Sequence, residues 1–368
     1  MLSTAGSTSS EVPCVAALVS LSASEVGRQL CVRERATSLL VLLSKSLRKP
    51  TVLRVVGAMA IMSKHVDLRP SMVDVGTLNV LICMILTGGQ HLEDIKIDCV
   101  RTLCQLTCSQ DLHEVLIHKR IIVAIVVLTN KRGLVPSTVV DHLAAHALCN
   151  LSRSKMSHRS LVEDGGTELL VALILRSQPI TPSSVDLSCV VLDSVNALAR
   201  VGASALMVGA LLASGLVEAL SSLSPRQLVD PRLSLCASQA LAALSRSAAH
   251  RRDLVARGIT TALIGLVRES PTPQAKLLCA EAFRNLSMEN STRASMVACG
   301  VERVLVDLGA ILDDRDTEAH CAAALANLFN RKASFKFFWT PGEKHNTLPQ
   351  SNRKTPRFRM TRAATRQI

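Results

Sequence analysis

Two short strings in the chain carry residue types that do chemistry. Cys104, Cys108, His113 and His118 form C-x3-C-x4-H-x4-H, the sulfur and imidazole donors that a tetrahedral zinc site would use. The spacing matches no zinc finger. His142 and His146 stand one helical turn apart and would share a helix face, but the glutamate and third ligand of a metallohydrolase are missing. No glycine-rich phosphate loop, G-x-S-x-G elbow or Cys–His nucleophile pair stands out. The chain is therefore expected to be no enzyme, with no metal, no cofactor and no small-molecule substrate.

What could position side chains is set by composition. Of 368 residues, 48% are apolar, enough for a large buried core and incompatible with wholesale disorder. The longest uninterrupted apolar run, 121–128, is far shorter than the roughly 18 residues that cross a bilayer, so no membrane span is expected. Twelve scattered cysteines and no basic, apolar leader point to a reduced intracellular compartment, the cytoplasm and also the nucleus. The formal charge of +13 is unevenly spread. Residues 331–368 hold ten Lys and Arg against Glu343 alone, a net +9, which leaves +4 for everything before them. Five of the seven aromatics lie there too. A nearly neutral body without tyrosine lacks the stacking platforms and positive groove of a nucleic-acid binder, so nonspecific phosphate or acidic-lipid attraction is expected only from the tail.

The body is repetitive. AALVSLS (16–22), AMAIMSK (58–64), HALCNLS (146–152), QALAALS (239–245), EAFRNLS (281–287) and AALANLF (323–329) share one pattern. Anchored on the last apolar residue, and with two weaker copies, the series is Leu21, Met62, Leu106, Leu151, Leu198, Leu244, Leu286 and Leu328. Its steps are 41 to 47 residues. Small or apolar residues recur seven and four positions before each anchor, which traces one face of a helix, here helix C. Fourteen residues after the anchor stand Gly76, Gly165, Gly258 and Gly300, with Arg35 and Arg120 in the same slot; Gly215 comes after seventeen, a three-residue insertion. Apolar pairs flank the slot on both sides, which predicts a short helix A, a glycine corner and a helix B with one buried stripe. Arg28, Arg69, Arg251 and Arg293 recur seven residues before the slot, a position that His113 also takes, and are expected to contact the end of helix C or the loop beside it. Units of this size cannot bury their stripes alone, but stacked copies can.

In LVEDGGTELLVAL (161–173) and AAHALCNLS (144–152) the chain resembles the armadillo repeat family, over roughly residues 11–330. The fold this implies is all-α: a right-handed α-solenoid of about seven three-helix repeats, with a disordered segment 1–10 before it and a basic, largely disordered tail 331–368 after it. Both ends fall in mid-unit, so a piece of a longer solenoid is expected, the alternative being a tail that folds back as a cap. The resemblance also implies a noncatalytic scaffold or adaptor whose concave helix C surface binds a protein or peptide segment. Its contacts would be an amide one position before the anchor, at Gln105, Asn150, Asn285 and Asn327, and the side chains one turn earlier, at Arg101, His146, Asp193, Gln239 and Glu281. Two other readings stand beside it. An importin-alpha-like receptor for basic cargo would carry groove tryptophans, which are missing here. The tail could act alone, as a nucleic-acid or acidic-membrane anchor or, through RKTPR (353–357), as a nuclear address.

Overall fold

The computed structural model describes residues 11–45, 49–87, 92–130, 138–177, 185–311 and 314–329. The segments expected to be disordered, 1–10 and 331–368, and the fold-back cap lie outside the described residues. Regular structure among the described residues is helical throughout. Helix C appears as Glu11–Ser22, Lys49–Met62, Leu92–Thr107, Thr138–Leu151, Val185–Gly202, Pro231–Ser245, Pro273–Ser287 and Arg315–Leu328. Helix A is short: Glu25–Arg33, Arg69–Asp74, His113–His118, Ser157–Glu163, Val208–Ala213, Arg251–Ala256 and Asn290–Ala298. Helix B follows each corner, as Thr37–Leu43, Thr77–Thr87, Ile121–Asn130, Gly166–Arg176, Leu216–Ser221, Ile259–Glu269 and Val301–Ile311. Successive helices C pack on one another, and so do successive helices B, so two parallel layers run the length of an α-solenoid with the core between them. Leu40, Leu170 and Leu305 are fully buried on three different helices B.

Three local facts make the repeat. The small residue four positions before the anchor lets two helices C approach closely; Ala58, Thr102, Ala147, Ser194, Ala240, Ala282 and Ala324 are all buried. Prolines begin helices instead of interrupting them: Pro231 and Pro273 open helix C, and Pro225 opens a short link helix, Pro225–Leu228. The corner between helices A and B is left-handed in all seven repeats, with φ between 76° and 91° at the five glycines, 48° at Arg35 and 63° at Arg120. The two arginines show that the corner is a requirement of the fold, since both adopt the backbone that glycine adopts freely.

The first helix C departs from the pattern. Cys14 and Ala17 are exposed, and Leu21 is 42% exposed, where their counterparts in later repeats are buried. Val15, Leu18 and Ser22 are buried instead. The stripe through the anchor is the face that receives the preceding helix C, and no described element precedes this one. The three-residue insertion before Gly215 also finds its place: Val185–Gly202 runs past its anchor Leu198, whereas the other helices C stop at the anchor or one residue beyond.

Gly258 isolates the cost of the corner, because a Cβ placed there meets nothing within 4 Å. Gly258→Ala is expected to lower the stability by about 1–2 kcal/mol in chemical denaturation, from backbone conformation alone. Arg35→Gly, which removes the same strain, is expected to be neutral or stabilising; a Gly258→Ala protein as stable as the wild type would show that the corner imposes no strain.

Candidate functional site

The helix C layer is organised around the residue that follows the anchor. Ser22, Ser63, Thr107, Ser152, Ser245 and Ser287 occupy that position and are all buried. Their carbonyls are among those a helix end leaves without an intrahelical partner. Helix A of the same repeat supplies the donor. Arg28 reaches Ser22 O at 3.3 Å, Arg69 Ser63 O at 2.8 Å, Arg251 Ser245 O at 3.3 Å and Arg293 Ser287 O at 2.9 Å. His113 and His158 do the same through Nε2, at 2.8 Å to Thr107 O and 2.9 Å to Ser152 O. A carbonyl only accepts, so Nε2 carries the proton in both rings. The arginines expected to contact the helix C end therefore do so.

The hydroxyl of the same residue joins one repeat to the next. Ser245 Oγ donates to Ala242 O at 2.7 Å and accepts from Asn285 Nδ2 at 3.1 Å. Ser287 Oγ donates to Arg284 O at 2.7 Å and accepts from Asn327 Nδ2 at 3.1 Å. Thr107 Oγ1 donates to Cys104 O at 2.6 Å and accepts from Asn150 Nδ2 at 3.4 Å. Asn150, expected among the partner contacts, is only 3% exposed, because its amide belongs to this interface between repeats. Asn285 and Asn327 are half-buried, and among the described residues each has its amide oxygen and second amide hydrogen without a partner. Where the asparagine is replaced by Ala197, Arg200 takes its part: its Nη1 reaches back to Ser152 Oγ at 3.3 Å and to Cys149 O at 3.0 Å.

One turn before these amides lies the charged row, and it is largely paired within the protein. Arg101 bonds Asp98 on its own helix. Arg246 holds Glu281 of the next helix C with both ends of its guanidinium, at 2.9 and 3.3 Å. Arg284 meets His320 Nδ1 at 3.3 Å. His146 Nδ1 donates to Asp193 Oδ2 at 2.9 Å, with side chains 42% and 19% exposed. Gln105 is half-buried and Gln239 exposed. Arg200, Arg246, Arg284 and His320 lie on this wall but were not among the expected contacts. The serine or threonine after the anchor was visible as a recurring sequence feature and marks where such donors converge.

Cys108 sits two residues after the anchor Leu106, as Arg246 does after Leu244, and His146 stands five residues before the next anchor, the position from which Glu281 meets Arg246. The His146 imidazole hydrogen-bonds both Asp193 and the Cys108 thiol, which raises its pKa to about 9. Cys108 also accepts from Asn150 Nδ2 at 3.4 Å and donates to Cys104 O at 3.5 Å. The zinc string does not assemble. Cys104 and His113 are buried, His113 is spent on Thr107 O, and among the described residues no three His, Cys, Asp or Glu side chains gather as a metal site.

No protein-family model matches the chain, and no curated protein matches it. Solved structures do. An engineered protein from a structural genomics consortium superposes with a TM-score of 0.63 at 21% identity, covering 89% of this chain and 76% of that one. A designed armadillo repeat protein matches with a TM-score of 0.51 at 18% identity, covering 68% of this chain and 99% of the design. A related design in complex with the peptide (KR)4 gives 0.51 at 17%, with the same coverages. The fold is an armadillo-repeat solenoid. A structure from work on the switch controlling the interaction between cadherin and beta-catenin matches with a TM-score of 0.63 at 17% identity, covering 84% of this chain and 60% of that one.

Two outcomes check this wall. Asn150→Ala is expected to cost about 1 kcal/mol or more in denaturant unfolding, since a buried hydrogen bond between repeats is lost and a small cavity left; a protein of unchanged stability would remove Asn150 from the interface. The His146–Asp193 link makes stability pH-dependent. The folded ring titrates near 9 against 6.5 for an unperturbed histidine, so the folded state holds the proton more tightly. Its stabilisation is complete below about pH 6.5 and is lost as the pH rises toward 9. The stability gap between wild type and Asp193→Asn is accordingly expected to narrow over that window, and a gap independent of pH would mean that the link carries no charge.

Proposed function

We propose that the protein is a noncatalytic scaffold that holds an extended segment of another protein along the helix C wall, through backbone recognition more than through charge. The observation that carries this reading is the pair Asn285 and Asn327. Each has one amide hydrogen tied to the preceding repeat, which orients the side chain, while its oxygen and second hydrogen have no partner among the described residues. An amide so held can accept from and donate to the same peptide unit. Arg101, Gln105, His146, Asp193, Gln239 and Glu281 form the surrounding surface. Because Arg101, Asp193 and Glu281 are already paired with Asp98, His146 and Arg246, the wall favours a segment without a strong charge run. This separates the reading from a receptor for basic cargo. The armadillo design solved with a bound peptide and the structure from the cadherin and beta-catenin work support the general mode, and twelve free thiols support placing the protein in the cytoplasm or nucleus.

The test is a display library of extended peptides selected on the full chain, with binding of the selected peptides remeasured on the double variant Asn285→Ala, Asn327→Ala. Loss of two amide contacts of about 1 kcal/mol or more each should weaken binding by roughly tenfold to a hundredfold. Unchanged affinity with an intact helical fold would overturn the assignment of the wall.

A further inference from the structure

One cysteine differs from the rest in what surrounds it. Cys31, Cys99, Cys104, Cys149, Cys279 and Cys321 are buried small apolar residues of the core, and burial pushes Cys99, Cys104, Cys279 and Cys321 up to about 12. Cys14 and Cys299 are exposed with no hydrogen-bond partner among the described residues. Cys108 is exposed and lies at a junction of three consecutive repeats. His146 comes from the next helix C and bonds its thiol. Asp193 comes from the helix C after that and holds the imidazole by Nδ1 at 2.9 Å. Asn150, one turn after His146, donates to the sulfur at 3.4 Å.

The charged and titratable groups around the sulfur are His146, Asp193, Arg69 on the preceding helix A, Arg153 just beyond Leu151, and the buried Cys104. The His146 hydrogen bond, with Arg69 and Arg153 in support, holds the thiol below its usual range against the opposing effect of burial. A carboxylate fixing an imidazole that faces a thiol is the arrangement that activates a sulfur nucleophile, because it favours the thiolate and keeps a proton at hand.

We propose that Cys108 is a thiol-exchange site, at which a low-molecular-weight disulfide of the glutathione class leaves one half on the protein as a mixed disulfide. The Cys108 sulfur attacks one sulfur of the disulfide. The new S–S bond forms as the old one breaks, and the departing thiolate takes a proton from the His146 imidazolium. The thiol proton held by the Cys108–His146 pair thus leaves with the second half: protein thiol plus disulfide becomes mixed disulfide plus free thiol, with Cys108 oxidised and the small disulfide reduced. Asp193 acts as a positioning residue, holding the ring in orientation and charge. This site stands apart from the scaffold reading, since exchange needs no partner in the groove.

The experiment uses the full chain, reduced and then exposed to glutathione disulfide near neutral pH, with acid quenching and peptide-resolved mass spectrometry. Cys14 and Cys299 serve as exposed references in the same molecule. Mixed disulfide is expected at Cys108 roughly threefold or more faster than at either reference, the gain in thiolate being partly offset by weaker nucleophilicity. The pH midpoint of iodoacetamide alkylation at Cys108 is expected below those at the references. His146→Asn should abolish the rate advantage and Asp193→Asn should reduce it. Equal or slower modification of Cys108 in the wild type overturns the proposal whatever the variants do, as does an advantage that survives both substitutions.

Discussion

The end of helix C is where the stack has its least freedom. A helix leaves its last carbonyls without intrahelical partners, and here those carbonyls are packed inside a protein–protein-like interface between repeats. The chain meets this with one residue that works in two directions. The carbonyl of the serine or threonine after the anchor takes an N–H from its own helix A, and its hydroxyl takes an amide from the next repeat. The first bond closes a repeat on itself, and the second sets the position of its neighbour. Where the asparagine is missing, at Ala197, Arg200 from the same helix C reaches Ser152 Oγ, the hydroxyl that the asparagine would have met, and Cys149 O beside it. That substitution by a different side chain from a different direction indicates that the acceptors impose the requirement, and the donor's identity is secondary.

Because each repeat touches mainly the ones beside it, the solenoid's properties are local and its ends differ from its middle. Leu21 is a buried position in every sense but one: it lacks a described neighbour, and so it is exposed. The same logic governs electrostatics. Ion pairs on the inner wall run from one helix C to the next, Arg246 to Glu281 and His146 to Asp193, so the wall neutralises itself repeat by repeat. What remains on the wall is neutral and directional, namely the amides of Asn285 and Asn327, each oriented by its bond to the preceding repeat.

Position in the repeat also explains why a reactive constellation can arise on a scaffold. The slot two residues after the anchor faces the slot five residues before the next anchor. Filled by arginine and glutamate, that contact is an ion pair; filled by Cys108 and His146, with Asp193 one repeat further, it is an activated thiol. The backbone is the same in both cases, and only three side chains change the chemistry.

The periodicity of apolar residues and the recurrence of glycine determined the helices, the corners, the buried stripes and the number of repeats. These are local properties: a helical face is defined within seven residues, and a left-handed backbone is a demand on one residue. Even Arg35 and Arg120 could be placed in their corners, because neighbouring copies supplied the register. The side-chain partnerships were beyond sequence, since they join positions a full repeat apart, and whether two such side chains meet depends on the angle and separation of stacked helices. Asn150 was therefore placed among the partner contacts when it is buried between repeats, and no cysteine and histidine were paired when Cys108 and His146 are. Tertiary structure alone decided those points, because hydrogen bonding across an interface is a matter of distances that no single repeat contains.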